Sequence, residues 1–205
     1  MHRSALELKK NDYIFVAVPK TGTNSIWDKI LSPGNRYYPF QHTKASTIKK
    51  YIGDAEWNKR FSFACVRNPY SLIKSWYDYH KTHKDIGQHV KDFYPDSFEK
   101  WVDEGFKTHW ELNSHKRLNP FWDGSNPLHQ YKWVTDNKKN IIVNHVMKQE
   151  KLSEDFSIVA NKYGFNNDLK RLNTSKNSSV LSENIKEKIY QEFSLDFDFF
   201  DYEKN

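Results

Sequence analysis

Six consecutive positions, Lys20-Thr21-Gly22-Thr23-Asn24-Ser25, place one amine, one glycine and four hydroxyl or amide side chains at the end of the apolar run Tyr13-Ile14-Phe15-Val16-Ala17-Val18-Pro19. Residues of these types in this order suit an anion. A glycine lets the backbone approach a ligand with no Cβ in the way, and a helix opening at Thr23 would turn its free N–H groups toward bound oxygens. Lys20 adds a mobile positive charge at the rim. The order is not that of a Walker A loop, which closes on Gly-Lys-Ser/Thr, because here the lysine stands two positions before the glycine. Hydrolysis of nucleoside triphosphates is disfavoured accordingly. Taken alone, the segment reads equally well as a strand-turn-helix corner with no ligand.

A second cluster follows the same plan. Phe61-Ser62-Phe63-Ala64-Cys65-Val66 is a strand-like run, after which come Arg67-Asn68-Pro69-Tyr70 and a helical pattern, Ser71-Leu72-Ile73-Lys74-Ser75-Trp76-Tyr77-Asp78-Tyr79-His80. Arg67 thus stands at the carboxyl end of a strand. Ser75 lies eight residues on, a little over two helical turns, so both face one phosphate if the Asn68-Pro69 turn folds the helix back. An Arg-Asn-Pro turn by itself is more often structural. Two loops of this kind, each after a strand-like run, favour an anionic ligand.

Pro-Lys-Thr-Gly-Thr-Asn-Ser-Ile (19–26) closely resembles the 5′-phosphosulfate loop of sulfotransferases that use 3′-phosphoadenosine-5′-phosphosulfate (PAPS), and the Arg67…Ser75 spacing resembles that family's 3′-phosphate site. Weaker likenesses run to the end of the chain. Residues 140–156 resemble the family's later strand and the helix after it, and Leu172-Asn173-Thr174-Ser175-Lys176-Asn177 resembles its Asn-x-Ser loop near the nucleotide. The closing segment 189–202 resembles the aromatic terminal helix of carbohydrate-type members. Lys148 departs from the pattern, since the resemblance calls for an arginine before the glutamate, and an ammonium lacks the planar fork of a bidentate contact.

The resemblance implies an enzyme with PAPS as sulfuryl donor, 3′-phosphoadenosine-5′-phosphate (PAP) as product, a hydroxyl-bearing carbohydrate or glycoconjugate as acceptor, and no metal. It implies that Lys20, Thr21, Gly22, Thr23, Asn24 and Ser25 hold the 5′-phosphosulfate, that Arg67 and Ser75 hold the 3′-phosphate, and that Asn173 and Ser175 lie near the nucleotide. Lys20 would also stabilise the leaving bridge oxygen. His42, within Phe40-Gln41-His42-Thr43-Lys44 and just ahead of a helix, resembles the histidine that some carbohydrate sulfotransferases use as general base. An imidazole titrating near neutrality matches that task, although a surface histidine at a helix entry is the plainer reading.

The elements that must position these groups are read from periodicity. Strands are expected at about 12–18, 61–66 and 140–147, with a further one ahead of His42. Helices are expected at about 23–31, 44–51, 71–82, 153–163 and 182–198. Alternation of this kind predicts a parallel sheet with helices on both faces, and the resemblance makes it the three-layer α/β/α, P-loop NTPase-like sulfotransferase fold. Ligands of such sheets gather beyond the carboxyl ends of the strands, where both loops fall. The stretch 83–130 breaks the alternation and reads as an acceptor-side insertion in one domain spanning 1–205, with a helix at about 96–105.

Composition narrows the class. A length of 205 residues suits one catalytic domain, and a net charge of +6 suits an anionic cofactor without arguing for nucleic acid. The single cysteine, Cys65, excludes an intramolecular disulfide and reads as a buried small hydrophobe. His80, His83 and His89 read as a solvated helix end rather than a zinc site, and Trp76, Trp101, Trp110 and Trp122 as packing rather than sugar platforms. The first ten residues lack a signal-peptide core and no stretch reaches membrane-spanning length, so a cytoplasmic enzyme is expected ahead of a luminal domain trimmed of its stem, and the sequons at Asn173 and Asn177 then carry no meaning. Two rivals stand beside the sulfotransferase. A P-loop-type nucleotide or small-molecule kinase would need a Walker lysine and a magnesium-binding acid after a strand, and a non-catalytic polyanion-binding module would need only the basic surface.

Overall fold

The computed structural model describes residues 12–31, 42–111, 123–169 and 180–204, which divide between two compact units. The first unit takes in the chain up to Arg67 together with 130–174; the second takes in 68–129 and the C-terminal segment from 175.

A small parallel sheet flanked by helices forms the first unit. Strands β1 (Tyr13–Val16), β2 (Phe61–Val66) and β3 (His145–Lys148) lie in the order β1-β2-β3. Tyr13 pairs with Phe61 and Phe63 with His145. Parallel pairing is what the strand and helix alternation predicts, because each crossover must travel back along the sheet through a helix. The apolar run from Ile14 to Val18 is fully buried, as are Phe63 to Val66, so these strands read as continuous hydrophobic stretches rather than alternating ones. Each such Val, Ile or Phe side chain contributes about 1.5–3 kcal/mol by leaving water.

The helices of this unit are α1 (Thr23–Ile30), α2 (Ala45–Ile52), α3 (Asp54–Asn58), α7 (Tyr131–Val134) and α8 (Leu152–Tyr163), the last entered through a short 3₁₀ turn at Gln149–Lys151. The third strand is shorter than the expected 140–147. Ile141 is spent on an antiparallel bridge to Thr135, and Asn144 instead starts the ladder with its side chain. The Asn144 Oδ1 accepts from the Ser62 N–H at 2.8 Å and the Ser62 hydroxyl at 2.9 Å, while the Asn144 N–H donates to the Ser62 carbonyl at 2.8 Å. The strand expected ahead of His42 falls outside the described residues.

The second unit is helical and aromatic. Its helices are α4 (Pro69–Thr82), α5 (Gln88–Lys91), α6 (Phe98–Asp103) and α9 (Glu183–Phe199). Helix α4 is started by Asn68, whose side chain accepts from the N–H groups of Tyr70 and Ser71, with Pro69 at the first helical position. Trp76 and Trp101 are buried at 1 % exposure and Trp110 at 8 %, which bears out packing over a sugar platform; Trp122 lies outside the described residues. The reading of His80 as part of a solvated helix end is corrected. Its Nδ1–H donates to the Trp76 carbonyl at 2.9 Å, and its ring stacks on Tyr94 with centroids 5.5 Å apart, at 5 % exposure. The aromatic residues of α4 and of the segment after it make a core that excludes water, and the i to i−4 carbonyl of Trp76 supplies the polar partner that burial demands. Among the described residues no helix is long and apolar enough to cross a membrane.

Candidate functional site

Because β1, β2 and β3 are parallel, their carboxyl ends open on one edge of the sheet. The loop after β1 tightens at once: the Val18 N–H donates to the Val16 carbonyl at 3.1 Å, and the Thr21 hydroxyl donates to the Val18 carbonyl at 2.9 Å. Thr21 is fully buried, and its hydroxyl proton serves the loop. Gly22 follows at φ 85°, a left-handed conformation that L side chains rarely adopt, and caps the start of α1. A Cβ at that position would sit 3.2 Å from Leu152 Cδ2 and 3.7 Å from Gln149 Cγ. The glycine therefore answers both a backbone and a packing demand.

Helix α1 begins with its positive end uncompensated. Its first turn contains no acidic residue and no side chain caps it. The Ser25 N–H donates to the Gly22 carbonyl at 3.0 Å, whereas the N–H groups of Thr23 and Asn24 have no acceptor among the described residues. Thr23 and Ser25 are buried and Asn24 is exposed. Two backbone donors at a helix N-terminus, beside a glycine at positive φ, offer hydrogen bonds that suit the oxygens of an anion.

Two distant residues converge on this loop within the first unit. The Arg67 guanidinium Nη1 donates to the Lys20 carbonyl at 3.3 Å, across 47 positions of sequence. The His42 Nδ1 lies 3.0 Å from the Ala17 carbonyl. A carbonyl oxygen only accepts, so Nδ1 carries the proton in the neutral ring and Nε2 carries the lone pair. The imidazole is held between Trp27 and Trp133, with ring centroids at 5.8 Å and 6.4 Å. Lys20 and His42 also share a backbone feature: both occupy positive φ, at 65° and 52°. Non-glycine residues in that region are uncommon and concentrate where function requires them.

Ser75 stands half-buried on α4 and belongs to the second unit. Asn173 and Ser175 lie outside the described residues. Lys148 ends β3, where its N–H donates to the Asp155 carboxylate at 2.6 Å. Cys65 is buried as expected, and burial pushes its thiol well above the usual range, with the Glu150 carboxylate adding to the rise and the Thr21 hydroxyl opposing it. Among the described residues no three His, Cys, Asp or Glu side chains converge to hold a metal ion.

Sequence reasoning missed the residues that hold this arrangement from behind. Gln130 brackets the Arg67 peptide, Trp133 flanks His42, and Gln149 and Leu152 close on Gly22. A buried glutamine at the edge of an aperiodic stretch gives no periodic signal. No family model, curated protein or solved structure matches this chain.

Proposed function

We propose that this chain is a PAPS-dependent sulfotransferase of the carbohydrate type, with the three-layer P-loop-like fold of that family. The observation that carries the reading is the convergence of Arg67 and His42 on the backbone of the 17–25 loop, at a helix start with no side-chain cap and no acidic residue in its first turn. The sequence motifs call for this grouping, and nothing in the hydrophobic pattern alone would require it.

PAPS, when bound, supplies a sulfuryl group on a phosphate leaving group. The N–H groups of Thr23 and Asn24 would hold its 5′-phosphosulfate, with Gly22 allowing the close approach. Lys20 would neutralise the charge that develops on the bridge oxygen, the kind of stabilisation that dominates transfer between oxyanions. Arg67 would hold the 3′-phosphate, a contact that a planar guanidinium suits through paired donors, and the sequence resemblance alone adds the Ser75 hydroxyl. His42 would take the proton of the acceptor hydroxyl at Nε2, the nitrogen left basic by the bond from Nδ1 to Ala17. The acceptor reading, a sugar hydroxyl, rests on the likeness of His42 and of the terminal helix to carbohydrate-type members, and the expected compartment is the cytoplasm.

The test is Arg67→Ala in calorimetric titration. Loss of about 1.5–3 kcal/mol of PAP affinity, the scale of hydrogen bonds to charged groups, with 5′-AMP binding unchanged, is the expected result. Equal affinity of wild type for PAP and 5′-AMP would refute the 3′-phosphate assignment.

A further inference from the structure

Arg67 leaves the sheet one residue after β2 ends, and Val66, paired with Lys148, is the last residue in register. Its peptide would face no strand there. Gln130 fills the place: its side-chain Oε1 accepts from the Arg67 N–H at 2.8 Å, and its Nε2 donates to the Arg67 carbonyl at 2.7 Å. A carboxamide has the donor and acceptor of a peptide unit, so this pair acts as one more rung of ladder made by a side chain. Gln130 is fully buried, and both bonds are therefore made where losing them leaves a peptide group unsatisfied. Three positions on, Trp133, also fully buried, sets its ring edge against His42 at an interplanar angle of 82°. One short segment, Gln130 and α7, thus touches the backbone of the candidate phosphate-binding arginine and the ring of the candidate base.

We infer that Gln130 is a positioning residue for the nucleotide's 3′-phosphate: by fixing the Arg67 peptide in both directions it aims the guanidinium, and so sets the preference for a 3′-phosphorylated nucleotide. The inference rests on the sulfotransferase reading. Gln130 itself touches no ligand, and its effect passes entirely through Arg67. The Arg67 guanidinium leans on the Lys20 carbonyl at 3.3 Å from a backbone that Gln130 holds on both sides.

The experiment is calorimetric titration of PAP and of 5′-AMP into wild type, Gln130→Met and Gln130→Asn, repeated in an Arg67→Ala background. Methionine keeps the side-chain length and removes both bonds; asparagine keeps the amide and withdraws it by one methylene. PAP affinity is expected to fall about tenfold in either variant, with 5′-AMP affinity held within about twofold, the signature of one weakened charged contact. The ratio of the two affinities does not depend on how much of the sample is folded, so a loss of stability alone leaves it unmoved. In the Arg67→Ala background the Gln130 substitutions are expected to change the ratio no further. An unchanged ratio in a folded variant, or an equal loss for both nucleotides, overturns the role of Gln130. Failure of both variants to fold overturns it too, since Gln130 would then belong to the fold alone. A wild type that binds PAP no better than 5′-AMP contradicts the nucleotide reading beneath it.

Discussion

Lys20 and His42 show that the chemistry proposed here comes with backbone strain. Each sits at positive φ, where a side chain with a Cβ costs about 1–2 kcal/mol relative to glycine. Such a cost persists where the surrounding structure enforces it, and both residues are enforced from nearby: Lys20 through its carbonyl to Arg67, His42 through its ring to Ala17. Separating the roles of the Lys20 backbone and amine requires two substitutions. Lys20→Ala should remove transfer of labelled sulfate from PAPS to a sugar acceptor while weakening PAP binding far less; a variant with near-normal rate would remove the proposed role of the amine. Lys20→Gly should be equally inactive, yet unchanged to about 1 kcal/mol more stable in chemical denaturation, because relief at φ 65° offsets the entropy of glycine. A clear loss of stability in Lys20→Gly would show that the lysine side chain holds the loop rather than the ligand.

Among the elements, the join between β1 and α1 carries most of the site. Gly22 is its hinge, and Gly22→Ala meets two penalties: a left-handed backbone and a Cβ 3.2 Å from Leu152. A loss of about 1–2 kcal/mol in denaturant unfolding is expected, together with weaker PAP binding as the Thr23 and Asn24 donors turn away. Retained stability and affinity would mean that the loop tolerates a different shape. This join was legible in the sequence because each part has a local signal: an apolar run for β1, a Pro and Gly turn, then hydroxyl residues at a helix start. The same holds for β2 and α4, where Asn68 and Pro69 mark the cap. What could not be read is the support from long range. Gln130, Trp133, Gln149 and Leu152 lie far along the chain from the residues they hold, and their partners are chosen by the sheet, which a periodic pattern does not specify. The short α3, α5 and α7 were missed for another reason: four or five residues give too little of a helical period to register. The expected strand at 140–147 overshot because Ile141 and Val143 look apolar, while the chain spends residues 140–144 on a bridge and an asparagine clamp.

At the scale of the whole molecule, the two compact units differ in architecture. The sheet unit carries Lys20 and Arg67 after its strand ends and His42 ahead of α2, and the helical unit is built on Trp76, Tyr77, Tyr94, Trp101 and the aromatic face of α9. Cys65 reports on the first. It lies in the central strand at zero exposure, and burial raises its thiol, so the thiolate that reacts is scarce in the folded state. Iodoacetamide at mildly alkaline pH should leave Cys65 unmodified in native protein, and labelling should rise only along the unfolding transition of the sheet unit. Rapid modification under native conditions would mean that β2 opens far more easily than its burial implies. The net charge of +6 favours any anion and so discriminates nothing by itself. Binding of PAP should weaken as salt rises while its preference over 5′-AMP remains, whereas a polyanion-binding surface would lose affinity steeply and ignore nucleotide identity.

The most direct measurement is calorimetric titration of the wild-type protein with PAP beside magnesium-ATP and 5′-AMP. The account predicts tight binding of PAP and weak binding of the other two; preference for magnesium-ATP would make the chain a kinase, and no binding of PAP would contradict the central claim.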